Sequence, residues 1–255
     1  MKRLIYFFML PLFLFACKEE LPTLADKDNL DAYITENENF PLVKDSLIAC
    51  ALGGQSTFLE DDQFPLSILF YPEGTPKNFR YFESSSPNID PNDYSNYRLQ
   101  NLPEQPIFNG YLHSFQRTAI SENLWGLVTY ERNGKLYISN PIHLKFPEIK
   151  TEFNNDLLTL DQSENLEPRF TWEDGEQKDN VIYFHVILDE KGDLLSGTYT
   201  FDRLFQFYDL SNVVLNIRDT TPPPTLEPNS KYTFVLMGVS VDNWVNLVIA
   251  KPFET

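Results

Sequence analysis

The stretch VIYFHVIL, residues 181–188, alternates its side chains in a way that decides the fold class of the chain. Successive side chains of a β-strand point to opposite faces, so the even-numbered positions of this stretch share one face: Ile182, Phe184, Val186 and Leu188. We expect one of the two faces to be buried in a core. The loop DEKGD, residues 189–193, then closes a hairpin with LLSGTYT, which predicts an antiparallel sheet.

Short β-rich runs of the same kind continue along the chain in both directions from this hairpin. Pro, Gly, Asn and Asp separate the runs, as expected for antiparallel strands joined by turns. The clearest turn lies in YERNGKLY, because Asn133-Gly134 readily adopts the two positive φ angles of a type I′ turn. The register of this hairpin places Tyr130 opposite Tyr137.

The runs form two series, and each series is long enough to bury its own core. We therefore predict an all-β fold class with two antiparallel β-sandwiches in tandem. The first sandwich is predicted at residues 41–146 and the second at residues 147–255.

The second series carries a motif at the start of a late strand. Leu226-Glu227-Pro228 precedes Tyr232 in LEPNSKYTFVLMGVSV, and Trp172 ends the run FTW. These residues resemble the Leu-x-Pro-x-x-x-Tyr corner and the second-strand tryptophan of fibronectin type III domains. The resemblance covers about residues 150–255. It implies that the proline sets a crossover between sheets, the leucine fills the core and the tyrosine hydroxyl bonds backbone left open by the bend.

The first series resembles this family less closely. It ends in YISNPIHL, which is similar to the Ser-x-Pro close of a type III final strand. The corner motif is absent, and Trp125 comes much later than a second strand would. We therefore predict an immunoglobulin-like sandwich for residues 41–146 and leave its type III topology open.

The N-terminus has the anatomy of a secretory signal. Lys2 and Arg3 precede a thirteen-residue apolar run, residues 4–16. A transmembrane helix needs about 20 apolar residues, so this run is too short to span a bilayer. Leu14-Phe15-Ala16-Cys17 resembles the lipobox of bacterial lipoproteins. That resemblance implies a signal peptide at residues 1–16, cleavage before Cys17, lipid on the Cys17 sulfur and an acylated new N-terminus.

The residues after the cysteine point to a location and a tether. Lys18-Glu19-Glu20 resembles the signal that sends some lipoproteins of the Bacteroidetes type to the outer face of the outer membrane. We expect a lipid-anchored outer-membrane protein at the cell surface, with the periplasmic face as the alternative. Residues 17–40 are acidic and poor in apolar side chains, which is typical of a tether, and a short helix around Leu30 and Tyr33 fits their spacing.

Composition excludes some partners. The chain has 37 acidic and 20 basic residues, a formal net charge of −17, so it repels phosphate groups. We expect no nucleic-acid partner, and contact with the membrane through the lipid anchor only. Once Cys17 is acylated, Cys50 is the only thiol left, and its apolar surroundings SLIACAL favour a buried, inert side chain.

We find no catalytic constellation in the chain. His113, His143 and His185 lack metal-ligand spacing, and no Gly-x-Ser-x-Gly elbow is present. The sequence therefore predicts a protein that is not an enzyme, without catalytic residues, metal or cofactor. The alternative is a secreted carboxylate-based hydrolase or a calcium-dependent adhesin, which would require four loop acids to converge: Asp90, Asp93, Glu173 and Asp174.

Aromatic residues are the better candidates for binding. Four of them occupy odd-numbered positions in GTYTFDRLFQFYD and so share one strand parity: Tyr199, Phe201, Phe205 and Phe207. A fifth, Trp244, lies in a predicted hairpin loop. Exposed rings on a rigid sheet stack on sugars or anchor a protein partner, whereas the alternative is that they fill the core. We predict a cell-envelope binding or spacing module for a glycan or an envelope protein, with a purely architectural subunit as a further alternative.

Overall fold

The computed structural model describes residues 26–54, 65–118, 122–217 and 223–255. The predicted signal peptide, Cys17 and the acidic run at residues 59–62 lie outside these ranges. The described chain is all-β. Its one α-helix is α1 (Leu30–Glu36), and single turns of 3-10 helix occur at Tyr94–Asn96 and Asn155–Leu157.

The first ten strands form two sheets. They are β1 (Leu42–Leu47), β2 (Ala49–Gly53), β3 (Leu66–Phe70), β4 (Lys77–Ser84), β5 (Tyr97–Gln100), β6 (Glu104–Ile107), β7 (Leu112–Arg117), β8 (Leu124–Arg132), β9 (Lys135–Ser139) and β10 (Ile142–Leu144). Sheet I has the order β1-β9-β8-β4-β5, with β10 also paired to β8, and sheet II has the order β2-β3-β7-β6.

The remaining nine strands form two further sheets. They are β11 (Glu152–Phe153), β12 (Leu158–Asp161), β13 (Arg169–Trp172), β14 (Asn180–Asp189), β15 (Leu194–Thr200), β16 (Leu204–Gln206), β17 (Val213–Asn216), β18 (Lys231–Ser240) and β19 (Val245–Glu254). Sheet III has the order β11-β19-β18-β14-β15-β17, and sheet IV has the order β12-β13-β16.

The two sandwiches share one strand order. In sheet I the path β1-β9-β8-β4-β5 matches the path β11-β19-β18-β14-β15 in sheet III, and β2-β3-β7 matches β12-β13-β16. In both sandwiches the first strand pairs parallel with the strand next to it in the shared path, β1 with β9 and β11 with β19. The first sandwich therefore has the topology of the second, although its sequence lacks the corner motif.

The four sheets stack in the order I, II, III, IV. One core fills the space between sheets I and II, and another fills the space between sheets III and IV. A third core lies between sheets II and III, where Leu52, Leu69 and Leu112 pack against Phe184, Val235 and Met237. The two sandwiches are therefore joined through a shared apolar layer rather than by a linker alone.

Strand β14 shows the consequence of this stacking. Phe184 and Val186 face sheet II, while Tyr183 and Ile187 face sheet IV. The expectation that one face of VIYFHVIL lies in a core is correct but incomplete, because the first sandwich covers the second on its sheet III face and buries the other face too. A strand buried on both faces has apolar side chains at odd and even positions alike.

The local predictions around the turns are confirmed. Asn133 and Gly134 have φ angles of 51° and 70°, and Tyr130 pairs with Tyr137 at a ring-centroid distance of 5.0 Å. In the corner, the Glu227 N–H donates to the Tyr232 hydroxyl at 2.8 Å, so the tyrosine satisfies backbone at the bend. Leu226 and Trp172 are buried in the core between sheets III and IV.

Helix α1 corrects the predicted extent of the tether. The Asn29 side chain accepts a hydrogen bond from the Ala32 N–H and caps the helix. Leu30 and Tyr33 are buried against the outer face of sheet I, with Phe82 and Leu127. The tether predicted at residues 17–40 is wrong for residues 29–36, since this segment folds onto the first sandwich.

The turn between β18 and β19 holds the two sandwiches together through Trp244, and we call this contact the Trp244 lock. It brings Trp244 from the second sandwich into the core between sheets I and II. Gly53 is needed beside it, because a Cβ atom at this position would lie 2.8 Å from the Trp244 ring and 2.6 Å from the Phe146 Cβ atom. Backbone hydrogen bonds hold the turn, among them Ala51 N–H to Asn243 O at 3.0 Å and His143 N–H to Asp242 O at 2.9 Å.

A cluster of charged and polar side chains lies at the same turn. The Asp242 carboxylate accepts from the Ser240 hydroxyl at 2.5 Å and from the Lys145 ammonium at 2.9 Å, and it lies 3.0 Å from His143 Nδ1. Burial opposes ionisation of Asp242. The hydrogen bonds from His143, Ser240 and Lys145 outweigh it and hold the pKa of Asp242 below its usual range.

Candidate functional site

The structure does not bring the predicted aromatic residues together on the surface. Trp244, Phe205 and Phe207 are 0% exposed and Tyr199 is 8% exposed, whereas Phe201 is 64% exposed. Trp244 lies in the predicted turn, but the alternative that its ring fills a core holds, because the first sandwich supplies a core for that turn. Among the described residues these five form no exposed aromatic patch.

The shared parity of the four strand aromatics is also misleading. Tyr199 belongs to β15 in sheet III and stacks on Phe184 at 4.5 Å, toward the first sandwich. The chain then bends at residues 201–203 and enters β16 in sheet IV, so that Phe205 and Phe207 face the core of the second sandwich. The two-residue period that these four aromatic residues share therefore crosses from one strand to another in a different sheet.

The three histidines lie on different sheets and have different partners. His113 bonds to Glu104, His143 to Asp242, and His185 to the Thr198 hydroxyl. Ser240 donates to Asp242 rather than to His143, so this imidazole does not activate that hydroxyl. Within the described ranges no three His, Cys, Asp or Glu side chains are grouped to hold a metal ion.

The four acids of the alternative hypothesis have local structural partners. The Asp93 carboxylate accepts from Ser95 and Asn96 and caps the 3-10 turn that follows it. The Asp174 carboxylate accepts from the Tyr183 hydroxyl at 2.6 Å and lies 3.4 Å from Arg203. Asp90 and Asp93 follow β4 in the first sandwich, whereas Glu173 and Asp174 follow β13 in the second.

A cleft lies between the two sandwiches. Its volume is about 1510 Å³. One wall consists of edge strand β6, the turn after it and β7. The other wall consists of the β14–β15 hairpin loop, residues 189–192, together with Thr233 and Val235 of β18. The shared core between sheets II and III forms its floor, so the cleft exists only because the sandwiches pack together.

The turn between β6 and β7 shapes one end of this cleft. Phe108, Asn109 and Gly110 have φ angles of 50°, 52° and 86°, in the left-handed region. A phenylalanine in this region costs about 1–3 kcal/mol, and the conformation persists because its surroundings hold it. The Phe108 ring packs into the shared core, and the Asn109 amide donates to the Asp193 carboxylate at 2.6 Å across the cleft.

Charged groups of both signs line the cleft. Arg117 forms an ion pair with Glu83, whose side chain is 2% exposed, so the guanidinium is held at one wall. Across from it the hairpin loop carries Asp189, Glu190 and Lys191. The Asp189 carboxylate accepts from the Lys191 and Asp193 N–H groups at 2.8 and 2.9 Å, which fixes the shape of the loop.

The chemistry of this lining suits binding. Amides and hydroxyls from both walls, such as Gln105, Gln116 and Thr233, can donate and accept hydrogen bonds beside apolar Leu102 and Val235. Among the described lining residues none is His, Cys, Tyr or Trp, and the one aromatic ring, Phe108, is 8% exposed. The described lining thus offers no exposed ring on which a sugar could stack.

From the sequence, the run FNGYLHSFQ, residues 108–116, is β-rich, and residues 102–118 have no predicted functional role. Two signals were present. Pro103 and Pro106 flank and enter β6, which is typical of an edge strand, and Asn109-Gly110 is a strong turn signal. The opposite wall has no such signal, because it belongs to the other sandwich and approaches only in the folded chain.

The described helix is far too short and polar to cross a membrane. No family model and no curated protein matches the chain. A crystal structure of chicken CNTN1 FN1-FN3 domains is similar at 13% sequence identity, with a TM-score of 0.27, covering 85% of this chain and 68% of that chain. A likeness at this TM-score carries no argument. The all-β sandwich fold therefore rests on the sheets, their repeated strand order and the tyrosine corner of the chain itself.

Proposed function

We propose that the protein is a non-catalytic, lipid-anchored binding protein of the cell envelope that holds an extended segment of a partner protein in the cleft between its sandwiches. The observation that carries this proposal is the cleft, in which an edge strand of one sandwich faces a hairpin loop of the other. An open strand edge takes up an extended peptide through main-chain hydrogen bonds, and neighbouring side chains read its sequence.

Rigidity supports a binding role for this cleft. The shared core, the Trp244 lock and the Asn109–Asp193 hydrogen bond hold its two walls in one arrangement. A preformed site loses less conformational entropy when a ligand binds, which favours affinity. A spacing module, in contrast, has no need of a cleft shaped by both sandwiches.

The character of the lining favours a polypeptide over a glycan. Sugar sites usually offer exposed rings on which a pyranose stacks, and Phe108 is buried. Extended peptides need backbone partners and mixed side-chain contacts, both of which the β6 edge and its neighbours provide. We therefore choose an envelope protein as the partner.

The N-terminal residues support the anchor. A basic start, a short apolar run and Cys17 fit a lipoprotein signal, and Lys18-Glu19-Glu20 fits display at the cell surface. Two or three acyl chains hold a protein stably on a bilayer, since each buried methylene contributes about 0.8 kcal/mol. The proposed tether is then residues 18–25, since Asp26 and Asp28 already contact strand β5 of the first sandwich.

A cysteine exchange tests the anchor. In cells fed a labelled palmitate, the wild type is expected to carry the label and to sediment with the envelope. Cys17→Ser is expected to lose both properties, because no thioether can form. Cys50→Ala is the matched control and should keep both, since burial raises the pKa of the Cys50 thiol to about 12 and keeps it unreactive. Label retained on Cys17→Ser would contradict the anchor.

A photoreactive residue tests the cleft. Placed at Gln105 in the cleft, it is expected to cross-link a polypeptide, whereas the same residue at exposed Thr159 on β12 should not. The cross-linked segment, made as a synthetic peptide, should bind the wild type and lose at least about tenfold in affinity on Gln105→Trp, which fills the cleft. Thr159→Trp should bind like the wild type. A glycan-array signal abolished by Gln105→Trp would instead assign the cleft to a sugar.

A further inference from the structure

The segment before α1 is fixed on strand β5 of the first sandwich. Asp26 Oδ2 lies 3.3 Å from Arg98 Nε. The Leu99 N–H donates to the Asp28 carbonyl at 2.7 Å, and Asn29 forms a β-bridge with Arg98. Because these contacts hold the segment on both sides of its turn, the chain before Asp26 leaves the fold at β5.

This point of exit lies beside the cleft. Strand β5 stands at one end of sheet I, and β6, which forms a wall of the cleft, stands at one end of sheet II. Residues 101–103 connect the two strands, and two of them, Leu102 and Pro103, line the cleft. Arg98 and Leu102 are four positions apart, so their Cα atoms are at most about 14 Å apart. The proposed tether therefore joins the fold next to the wall that β6 forms.

The length of the proposed tether limits the distance between the cleft and the membrane. Asp26 is nine positions after Cys17, the residue that carries lipid in the proposed function. A fully extended chain advances about 3.4 Å per residue, so Cys17 and Asp26 are at most about 31 Å apart. With about 10 Å for the Asp26–Arg98 pair and about 14 Å from there to Leu102, the cleft wall lies at most about 55 Å from Cys17.

The charges around the exit and the cleft favour a polypeptide occupant over lipid or a second copy of the chain. Asp26, Asp28 and Asp31 are exposed beside the exit, and Asp189 and Glu190 line the opposite wall of the cleft. These acids repel the phosphates of lipid headgroups, and a chain with a net charge of −17 repels its own copies. The amides and hydroxyls of the lining, in contrast, pair with the N–H and C=O groups of an extended main chain.

We propose that the extended segment held in the cleft belongs to a protein inserted in the same membrane that carries the lipid anchor. This inference rests on the proposed function and names the class of partner. The anchor confines the cleft to a layer beside the bilayer, and insertion confines the partner to the same place. The cleft then meets the segment at a high effective concentration, so a modest intrinsic affinity is sufficient. A partner that is free in solution gains no such advantage from a short tether beside the cleft.

A spacer inserted between Ala25 and Asp26 of the full chain tests this placement. About 40 residues of EAAAK repeats form a semi-rigid helix of about 60 Å, longer than the limit set by the natural tether. With the photoreactive residue at Gln105, the yield of cross-linked partner in cells is expected to fall at least about fivefold. A Gly/Ser linker of the same length should lower the yield less, because it lets the cleft return to the surface. The partner, identified by mass spectrometry, should contain a membrane-inserted segment.

The same EAAAK spacer appended after Thr255 is the matched control, and it should leave the yield within about twofold of the unmodified chain. Every variant should keep the palmitate label. Each purified variant should also bind the synthetic peptide of the cross-linked segment with unchanged affinity, so that a lower yield reports the position of the cleft alone.

Equal yields with the spacer before Asp26 and after Thr255 would overturn the inference while leaving the proposed function intact, provided that the peptide still binds. A partner without a membrane-inserted segment would overturn it in the same way. A cross-link to residues 18–25 of the same chain would also overturn it, since the tether would then be the occupant. If the unmodified chain yields no cross-link, the proposed function fails, and this inference fails with it.

Discussion

Replacing Trp244 with alanine is expected to lower the free energy of unfolding by about 3–5 kcal/mol. The indole is 0% exposed and packs in the core between sheets I and II, although its strand neighbours belong to the second sandwich. Truncation leaves a cavity beside Gly53 and Phe146 that the surrounding sheets fill only in part. The loss is expected to affect both the first sandwich and its connection to the second.

Urea denaturation of the full chain measures this effect. The wild type is expected to unfold in one transition, because the shared core and the Trp244 lock couple the sandwiches. Trp244→Ala should unfold in two transitions, or in one at a clearly lower midpoint. Phe201→Ala removes an aromatic ring that is 64% exposed and should stay within about 0.5 kcal/mol of the wild type. Equal stability of the two variants would exclude Trp244 as a lock.

Acidification is expected to destabilise the protein through His185. This ring is 1% exposed and packs against Phe205 at a centroid distance of 4.2 Å, and burial lowers its pKa from 6.5 to about 3. Between those pH values the unfolded chain binds a proton at His185 that the folded chain excludes. Stability from this group is therefore complete above pH 6.5 and falls as the pH falls toward 3. At about 1.4 kcal/mol per pH unit, the loss is roughly 4–5 kcal/mol.

His185→Gln separates this effect from the titration of carboxyl groups. Glutamine can keep a hydrogen bond to the Thr198 hydroxyl but binds no proton in this range. The free energy of unfolding, measured at several pH values from 7 to 4, should fall less steeply for this variant than for the wild type. The difference between the two slopes should correspond to about one bound proton. Phe201→Ala, which removes an exposed ring and no titratable group, should retain the steeper fall. Parallel curves for His185→Gln and the wild type would contradict the prediction.

Local features of the fold could be predicted from the sequence because they depend on short-range physics. The Asn133-Gly134 turn follows from the ease with which these residues adopt positive φ, and the Tyr130–Tyr137 pair follows from the turn. The corner at Tyr232 follows from a proline and a tyrosine spaced so that the hydroxyl reaches the Glu227 N–H.

The candidate site could not be predicted in the same way. Its walls, β6 and the loop at residues 189–192, are about eighty residues apart in the chain and meet only when sheets II and III pack. The same packing misled the prediction for Trp244. The β18–β19 turn of the second sandwich inserts Trp244 into the core of the first sandwich. Neither the hydrophobic period nor the composition of that turn indicates that another sandwich packs against it.

The sequence by itself determined that the chain is all-β, that it forms two sandwiches and where its clearest turns lie, because a two-residue period and turn chemistry are properties of neighbouring residues. The tertiary structure alone decided which aromatic rings are buried and where a cleft opens. A strand with apolar residues on both faces, such as β14, is compatible with several partners. Only the packing of whole sheets selects one of them.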